Sequence, residues 1–237
     1  VWVGEKTLPA VTGLPVGETV SLRPLPATLR AVLRGRHVTL DALSPDDAEA
    51  LFGATQGPGT EALWQYLREP PCPDPAAFAA QIAAKAASED PLFFAIRRGG
   101  TTLGHAALMR LDLPNRVAEI GHILFAPALQ RTPAATEAIR LLLGHVFDSL
   151  GLRRCEWKCD ALNAPSRRAA LRFGFSYEGT FRQHMVVKGR NRDTAWFAML
   201  DQDWPRARAA FDAWLDPANF DAAGRQRRGL AALRAGL

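Results

Sequence analysis

Cysteine is scarce: Cys72, Cys155 and Cys159 are the only three in 237 residues. An odd, sparse set builds no disulfide framework, so a reducing cytoplasm is the expected compartment. Cys155 and Cys159 stand four apart with Trp157 between them. On a strand that spacing places all three on one face, and the pair reads as core rather than as half a metal site. No metal is expected. No run of about 20 apolar residues is present to cross a membrane. The opening "VWVGEKTLPAVTGLPVGETV" lacks a basic segment followed by an apolar stretch, so no secretion signal is read there. It also lacks an initiator Met, which leaves a missing start open. Zinc-finger spacing, a basic zipper, internal repeats and a stacking-aromatic motif are all missing, and nucleic acid is disfavoured as a partner.

What is present is enough apolar residue, 48% of the chain, to bury a core. The formal charge is +5, and the segment from Gly151 to Arg192 holds ten Lys or Arg against three Asp or Glu. That density suits a small polyphosphate ligand as well as it suits RNA.

Residues 1–35, rich in Pro and Gly, read as an extended N-terminal arm. "RHVTLDAL", Arg36 to Leu43, reads as a first strand. "SPDDAEALF" supplies Ser44 as a cap, Pro45 at the first helical position and acids in the first turn. "DPAAFAAQIAAKAAS" restarts a helix with Asp74 as cap. The period then changes. "PLFFAIRR", "TTLGHAALMRL" and "VAEIGHILF" are strands joined by short turns, an antiparallel meander. A helix follows, from Pro133 to Leu150, and Gly151 ends it. "RRCEWKCDAL" is the next strand, and the strand–helix–strand crossover is expected to be parallel and right-handed. Asn163 begins "APSRRAALRF", which Gly174 stops. "RQHMVVKGRNRDTAWFAML" is a hairpin, and residues 205–237 form a helical C-terminal tail. The fold class is α/β: a mixed, mostly antiparallel sheet flanked by helices.

Chemistry is expected at two helix starts. At the first, Thr132 caps and Pro133 opens the helix, and the backbone N–H groups of Ala134, Ala135 and Thr136 point outward with the positive end of the dipole. Small side chains leave room, and Gln130 and Arg131 add donors. The site suits a phosphate or pyrophosphate, although ordinary capping explains the same residues. Glu137, one turn in, reads as a dipole partner. At the second start, Asn163 reads equally as a cap and as a positioning residue, with Ser166 and Arg168 beside it.

Together these pieces, "AEIGHILFAPALQRTPAATEAIRLLLGHVFDSLGLRRCEWKCDALNAPSRRAALRFGFSYEG", resemble the GCN5-related N-acetyltransferase superfamily. Within it they resemble the branch that includes ribosomal-protein N-terminal acetyltransferases. The likeness runs over residues 36–204, with the arm and the tail outside it. It implies acetyl-CoA as co-substrate, with the pyrophosphate at the start of the Pro133 helix and the pantetheine arm between two diverging strands, Ile120–Phe125 and Arg154–Asp160. It implies cofactor contacts from Ile123, Leu124, Gln130, Arg131, Thr132, Ala134, Ala135, Asn163, Ser166 and Arg168. Pro133 stands where the family's phosphate loop has a glycine, and Arg131 is expected to compensate for the lost donor.

The reaction implied is transfer of an acetyl group to a primary amine of a small molecule or a protein N-terminus. A backbone N–H near Ile123 or Leu124 would hold the thioester oxygen. Glu119 is the first candidate for general base. Strict alternation puts Glu119, Gly121, Ile123 and Phe125 on one face, and His122, the alternative base, on the other. His105 lies on the neighbouring strand, and His184 is placed to read the acceptor. Many relatives carry a tyrosine in the second helix; here Ala170 takes that place, leaving Ser166 as candidate acid. The acids between Asp41 and Glu49 fit a cationic acceptor or simply a helix start. The hairpin's basic residues fit an anionic acceptor or a solvated turn. A homodimer is possible. Two other classes compete: an acyl-CoA-binding module without catalysis, and a basic RNA-binding protein.

Overall fold

Four polar residues start the helices as the sequence indicates, each through its side chain. The computed structural model describes residues 16–237, so residues 1–15 of the expected arm lie outside the described residues. Ser44 and Asp47 form a reciprocal capping box at a 3₁₀ turn, Pro45–Asp47, which runs into α1 (Ala48–Thr55). Asp74 caps α2 (Pro75–Ala86), Thr132 caps α3 (Pro133–Gly144) and Asn163 caps α4 (Ala164–Phe173). Gly174, at φ 104°, ends α4 in a conformation that costs other residues steric strain. Helices α5 (Trp204–Leu215) and α6 (Leu230–Ala235) complete the chain.

The strands are β1 (Leu33–Arg34), β2 (Thr39–Ala42), β3 (Leu92–Arg98), β4 (Thr101–Asp112), β5 (Val117–Phe125), β6 (Arg154–Asp160), β7 (Ser176–Val187) and β8 (Arg190–Leu200). They form one sheet in the order β1-β2-β3-β4-β5-β6-β8-β7. Only β5 and β6 pair in parallel; the other neighbours are antiparallel. The fold is therefore the mixed, mostly antiparallel α/β sheet flanked by helices that the element order implies.

Each face of the sheet carries its own core. On one, Phe94, Leu108, Ala118, Ile120, Cys155, Trp157 and Cys159 pack with Ile139 and Leu142 of α3, Ala170 and Phe173 of α4 and Phe211 of α5. Burial of one such phenylalanine contributes about 2–3 kcal/mol. Cys155 and Cys159 are core residues, as their spacing with Trp157 indicates, and the described residues hold no cluster fit for a metal. Phe173 of α4 stacks on Phe211 of α5 at 5.9 Å, so the C-terminal helices share this core. On the other face, Phe93, Ala95, Ala107 and Leu124 pack with Leu51, Phe78, Ile82 and Trp64.

Two segments differ from the sequence reading. The strand expected over Arg36–Leu43 begins only at Thr39, because the N–H groups of Arg36, His37 and Val38 are taken by the Glu137 carboxylate. The helix expected over Pro133–Leu150 is α-helical only to Gly144. A π turn, His145–Ser149, follows, and Leu150 N–H reaches back to the His145 carbonyl at 2.9 Å. The His145 ring is engaged there with the Leu29 carbonyl at 2.8 Å, which ties the described arm to this turn.

The acids between Asp41 and Glu49 are largely committed to structure. Asp47 is buried and accepts from Thr102 Oγ1 at 2.6 Å and from the Arg97 guanidinium, which also meets Asp41 at 3.0 Å.

Candidate active site

The parallel pairing of β5 with β6 is short. Val117, Ala118 and Glu119 face Arg154, Cys155 and Glu156, and the ladder stops there. From Ile120 onward the two strands part, and β5 retains only β4 as its hydrogen-bonded neighbour. The fork falls where β5's backbone polar groups lose a strand partner, and buried groups of that kind call for another partner.

Strict alternation fails within β5. Ala107 of β4 faces Gly121, but His105 faces Leu124, so β5 carries one extra residue. That residue is His122, at φ 48°. The bulge reverses the sides beyond it. Ile123 and Phe125 pack on the α3 side, while Leu124 joins the core beneath α1 and α2. The His122 ring lies 5.2 Å from Phe93 in that second core. Glu119 and His122 therefore share a face, and Ile123 and Phe125 do not share it with Glu119. This corrects the assignment made from alternation.

Glu119 is 5% exposed at the fork. Its Oε2 lies 3.1 Å from Lys158 Nζ and 3.5 Å from Arg110 Nη1. Lys158 also meets Glu156 at 2.6 Å, and its ammonium sits 3.9 Å from the centre of the Trp196 ring. Burial raises the Glu119 pKa above its ordinary 4.5; Lys158 and Arg110 oppose the shift without cancelling it, and Glu156 adds to it. Lys158 went unremarked in the sequence, although a signal was there. In "CEWKCD" the face opposite Cys155, Trp157 and Cys159 reads Glu156, Lys158, Asp160: charges on the side that meets Glu119.

Burial holds the His122 pKa below its ordinary value; Lys85, Arg68 and Arg110 add to this and Glu69 opposes it. His105 is 2% exposed, packs edge-on to Phe93 at 5.5 Å, and has neither ring nitrogen hydrogen-bonded. Burial pushes its pKa down from 6.5 to about 3, so it is neutral near pH 7 and is no proton shuttle there. A stability effect follows. The folded His105 refuses a proton that the unfolded chain accepts below pH 6.5, so this residue contributes a loss of stability as pH falls from 6.5 toward 3. Between pH 7 and 5 that loss is about 2 kcal/mol. Urea unfolding at both pH values is expected to show a smaller decrease for His105→Leu than for the wild type by about that amount.

The phosphate-site candidates gather at the start of α3. Arg131 adopts φ 57° just before the cap. Thr132 Oγ1 accepts the Ala135 N–H at 3.2 Å, and the Thr132 carbonyl lies 3.4 Å from the Thr136 nitrogen. Of the outward N–H groups expected at Ala134, Ala135 and Thr136, only that of Ala134 is without an acceptor among the described residues. The cap itself has taken the others. Gln130 and Arg131 are exposed, and Gln130 Nε2 donates to the Phe125 carbonyl at 3.0 Å.

Asn163 caps α4 through the Ser166 N–H at 3.1 Å. Ser166 Oγ accepts from Trp157 Nε1 at 2.9 Å, so that bond does not use its hydroxyl proton, and the hydroxyl also reaches the Cys159 thiol. Arg168 is exposed. Trp157 belongs to the α3-side core, so Ser166 and Glu119 lie on opposite faces of the sheet. The structure pairs Glu119 with Lys158 and puts His122 on the same face, whereas Ser166 lies on the other.

Above Glu119's face two distant segments meet. Lys188 Nζ donates to the Trp64 carbonyl at 2.6 Å, Tyr66 Oη donates to the Leu162 carbonyl at 3.1 Å, and Arg68 Nη2 lies 3.8 Å from Met185 Sδ. The α1–α2 connection thus touches the β7–β8 hairpin and, through Tyr66, the loop between β6 and α4. His184 Nδ1, 2.9 Å from Thr194 Oγ1, and Phe181, 4.5 Å from Trp196, line the hairpin side.

A buried carboxylate at a fork between parallel strands, beside a helix start with small side chains, suits acyl transfer from a long, phosphate-bearing thiol ester. Comparison with known proteins agrees. The acetyltransferase (GNAT) domain family matches residues 37–176. A crystal structure of a GCN5-related N-acetyltransferase from Brucella melitensis is 48% identical, covering 90% of this chain and 97% of that one, with a TM-score of 0.87. A probable GNAT-family acetyltransferase from Chromobacterium violaceum is 40% identical over 81% of this chain and 99% of its own, with a TM-score of 0.73. A putative ribosomal N-acetyltransferase of Bacillus subtilis is 29% identical over 71% of this chain and 93% of its own length. The chain belongs to the GNAT family of acetyltransferases.

Proposed function

We propose that this protein transfers an acetyl group from acetyl-CoA to a primary amine, of a small molecule or a protein N-terminus, by direct attack in a ternary complex. The observation that carries the reading is the fork itself: β5 leaves β6 immediately after Glu119, and Glu119 is buried at that point. Similarity to the Bacillus subtilis relative supports a place near the ribosomal-protein N-terminal acetyltransferases.

Acetyl-CoA enters from the side of α3, its pyrophosphate near Arg131, Thr132 and the Ala134 N–H, its pantetheine arm between β5 and β6. A β5 amide near Ile123 or Leu124 binds the thioester oxygen. The amine arrives from the face of Glu119. Its nitrogen bonds to the carbonyl carbon, the carbon–sulfur bond breaks, and the amine proton passes to Glu119, directly or through water. Ser166 donates toward the departing thiolate from the opposite face. Asn163 and Arg168 hold the donor's chain. Holding two substrates in line supplies much of the acceleration.

Released thiol, measured across a panel of primary amines with acetyl-CoA, is expected to reveal turnover. Arg131→Ala is expected to weaken CoA binding about tenfold. Tight CoA binding with no acceptor turned over would make the chain a regulatory module. Salt-dependent RNA binding with no response to CoA would remove the reading altogether.

A further inference from the structure

The acceptor side has an unmet electrostatic demand, and its sign is positive. Its carboxylates are provided for. Glu119 has Lys158 and Arg110, Glu156 has Lys158 and Arg154, and Glu69 has Lys85. Asp160 accepts the Leu162 N–H at 2.8 Å. Two guanidiniums have no such provision. Arg68, on the α1–α2 connection, and Arg192, on β8, make no ion pair among the described residues.

These two converge. Arg68 Nη2 lies 3.8 Å from Met185 Sδ, and Met185 is the direct cross-strand partner of Arg192. Partners across an antiparallel pair have Cβ atoms about 5 Å apart, so Arg68 approaches Arg192, and neither forms an ion pair among the described residues, although the Asp160 and Glu119 charges offset part of the charge on Arg192. The Arg192 Nε is buried and unpartnered, and so is the Trp196 Nε1. Arg192, Thr194 and Trp196 alternate onto one face of β8, and Trp196 stands opposite Lys158. The vacant donors thus lie on the strand face that also reaches the Glu119–Lys158 pair.

Resting on the acetyl-transfer reading, we infer that Arg68 and Arg192 form an oxyanion subsite for the acceptor, which is an amine carrying a carboxylate or phosphate several bonds from its nitrogen. The spacing follows from the strand: Arg192 and Trp196 are four residues apart, about 13 Å along β8. Burial already lowers the Arg192 pKa, and the nearby Arg68 charge adds to that effect against Asp160 and Glu119. An anion would relieve both. A polyamine would bring a third cation to the pair and is rejected. The subsite stands apart from the α3 start, where the donor's own phosphates are expected.

Matched amines test this. Thiol release with aminohexanoate against hexylamine, and with aminopropyl phosphate against aminopropanol, separates carboxylate from phosphate as the favoured anion. The anionic member of at least one pair is expected to win by about tenfold or more in kcat/KM. Arg192→Gln and Arg68→Gln are each expected to erase that preference, raising KM for the anionic amine about tenfold more than for its neutral partner. Equal turnover within both pairs, or variants that slow both members alike, overturns the subsite. A second measurement needs no turnover. With CoA saturating, hexanoate and inorganic phosphate are titrated while tryptophan fluorescence is followed. Saturable binding that both variants lose upholds the subsite, even if no amine is acetylated and the acetyl-transfer reading fails. Absent binding, or binding the variants retain, sinks it.

Discussion

Replacing Glu119 with Gln is expected to lower kcat by about a hundredfold or more and to leave the affinity for CoA intact. Gln keeps the shape and hydrogen-bonding reach of the side chain but cannot accept the amine's proton. The prediction has a pH signature as well. In the proposed role Glu119 would act as a base only when ionised, and burial raises its pKa above 4.5. The acidic limb of kcat/KM is therefore expected at a higher pH than an ordinary carboxylate gives, and activity is lost as pH falls through that raised value. Lys158→Met removes the cation 3.1 Å from the carboxylate, so the limb moves to still higher pH. Rate profiles of the wild type and both variants, with CoA binding measured in parallel, check this. A Glu119→Gln enzyme with unchanged kcat would assign the proton to His122 or to solvent.

The same site shows where a sequence stops being legible. Caps are local, so Ser44, Asp74, Thr132 and Asn163 could be found without the structure: each needs only its own side chain and an amide two or three residues on. The parallel β5–β6 crossover was legible for a similar reason, since a helix must connect the two strands. Glu119 was legible as a candidate through its place at the start of "EIGHILF". The side it shares with His122 was not, because a bulge is one extra residue against a partner strand and leaves no periodic trace in the strand that carries it. Lys158 was hidden by its neighbours, whose apolar alternation explains the strand completely. Arg68 and Arg192 are over a hundred residues apart, and only the packing of the hairpin against the α1–α2 connection brings them together. The tail, expected as docking helices over residues 205–237, places Phe211 and Trp214 in the main core.

Glu137→Ala is expected to destabilise the fold by about 3–5 kcal/mol. In the sequence this glutamate reads as a dipole partner one turn into α3. In the structure it is 5% exposed, and its two oxygens accept the N–H groups of Arg36, His37 and Val38 at 2.9, 2.6 and 2.9 Å. Hydrogen bonds to an ionised acceptor are the stronger kind, and losing them strands three amides that no strand partner replaces. For a chain of this size the loss corresponds to a fall in Tm of about 10 °C, measurable by thermal or urea unfolding. Glu137→Gln retains one acceptor oxygen and is expected to fall between Ala and the wild type. Gly35 supplies an internal control. A Cβ built there would strike the Glu137 carboxylate, so Gly35 serves the close approach of that side chain. Gly35→Ala alone is therefore expected to destabilise. Combined with Glu137→Ala, it is expected to cost much less, because the methyl then enters the space the carboxylate leaves. A coupling of that sign places the two residues in one contact, whereas simple additivity would mean that the amides, and not the fit against Gly35, carry the whole effect.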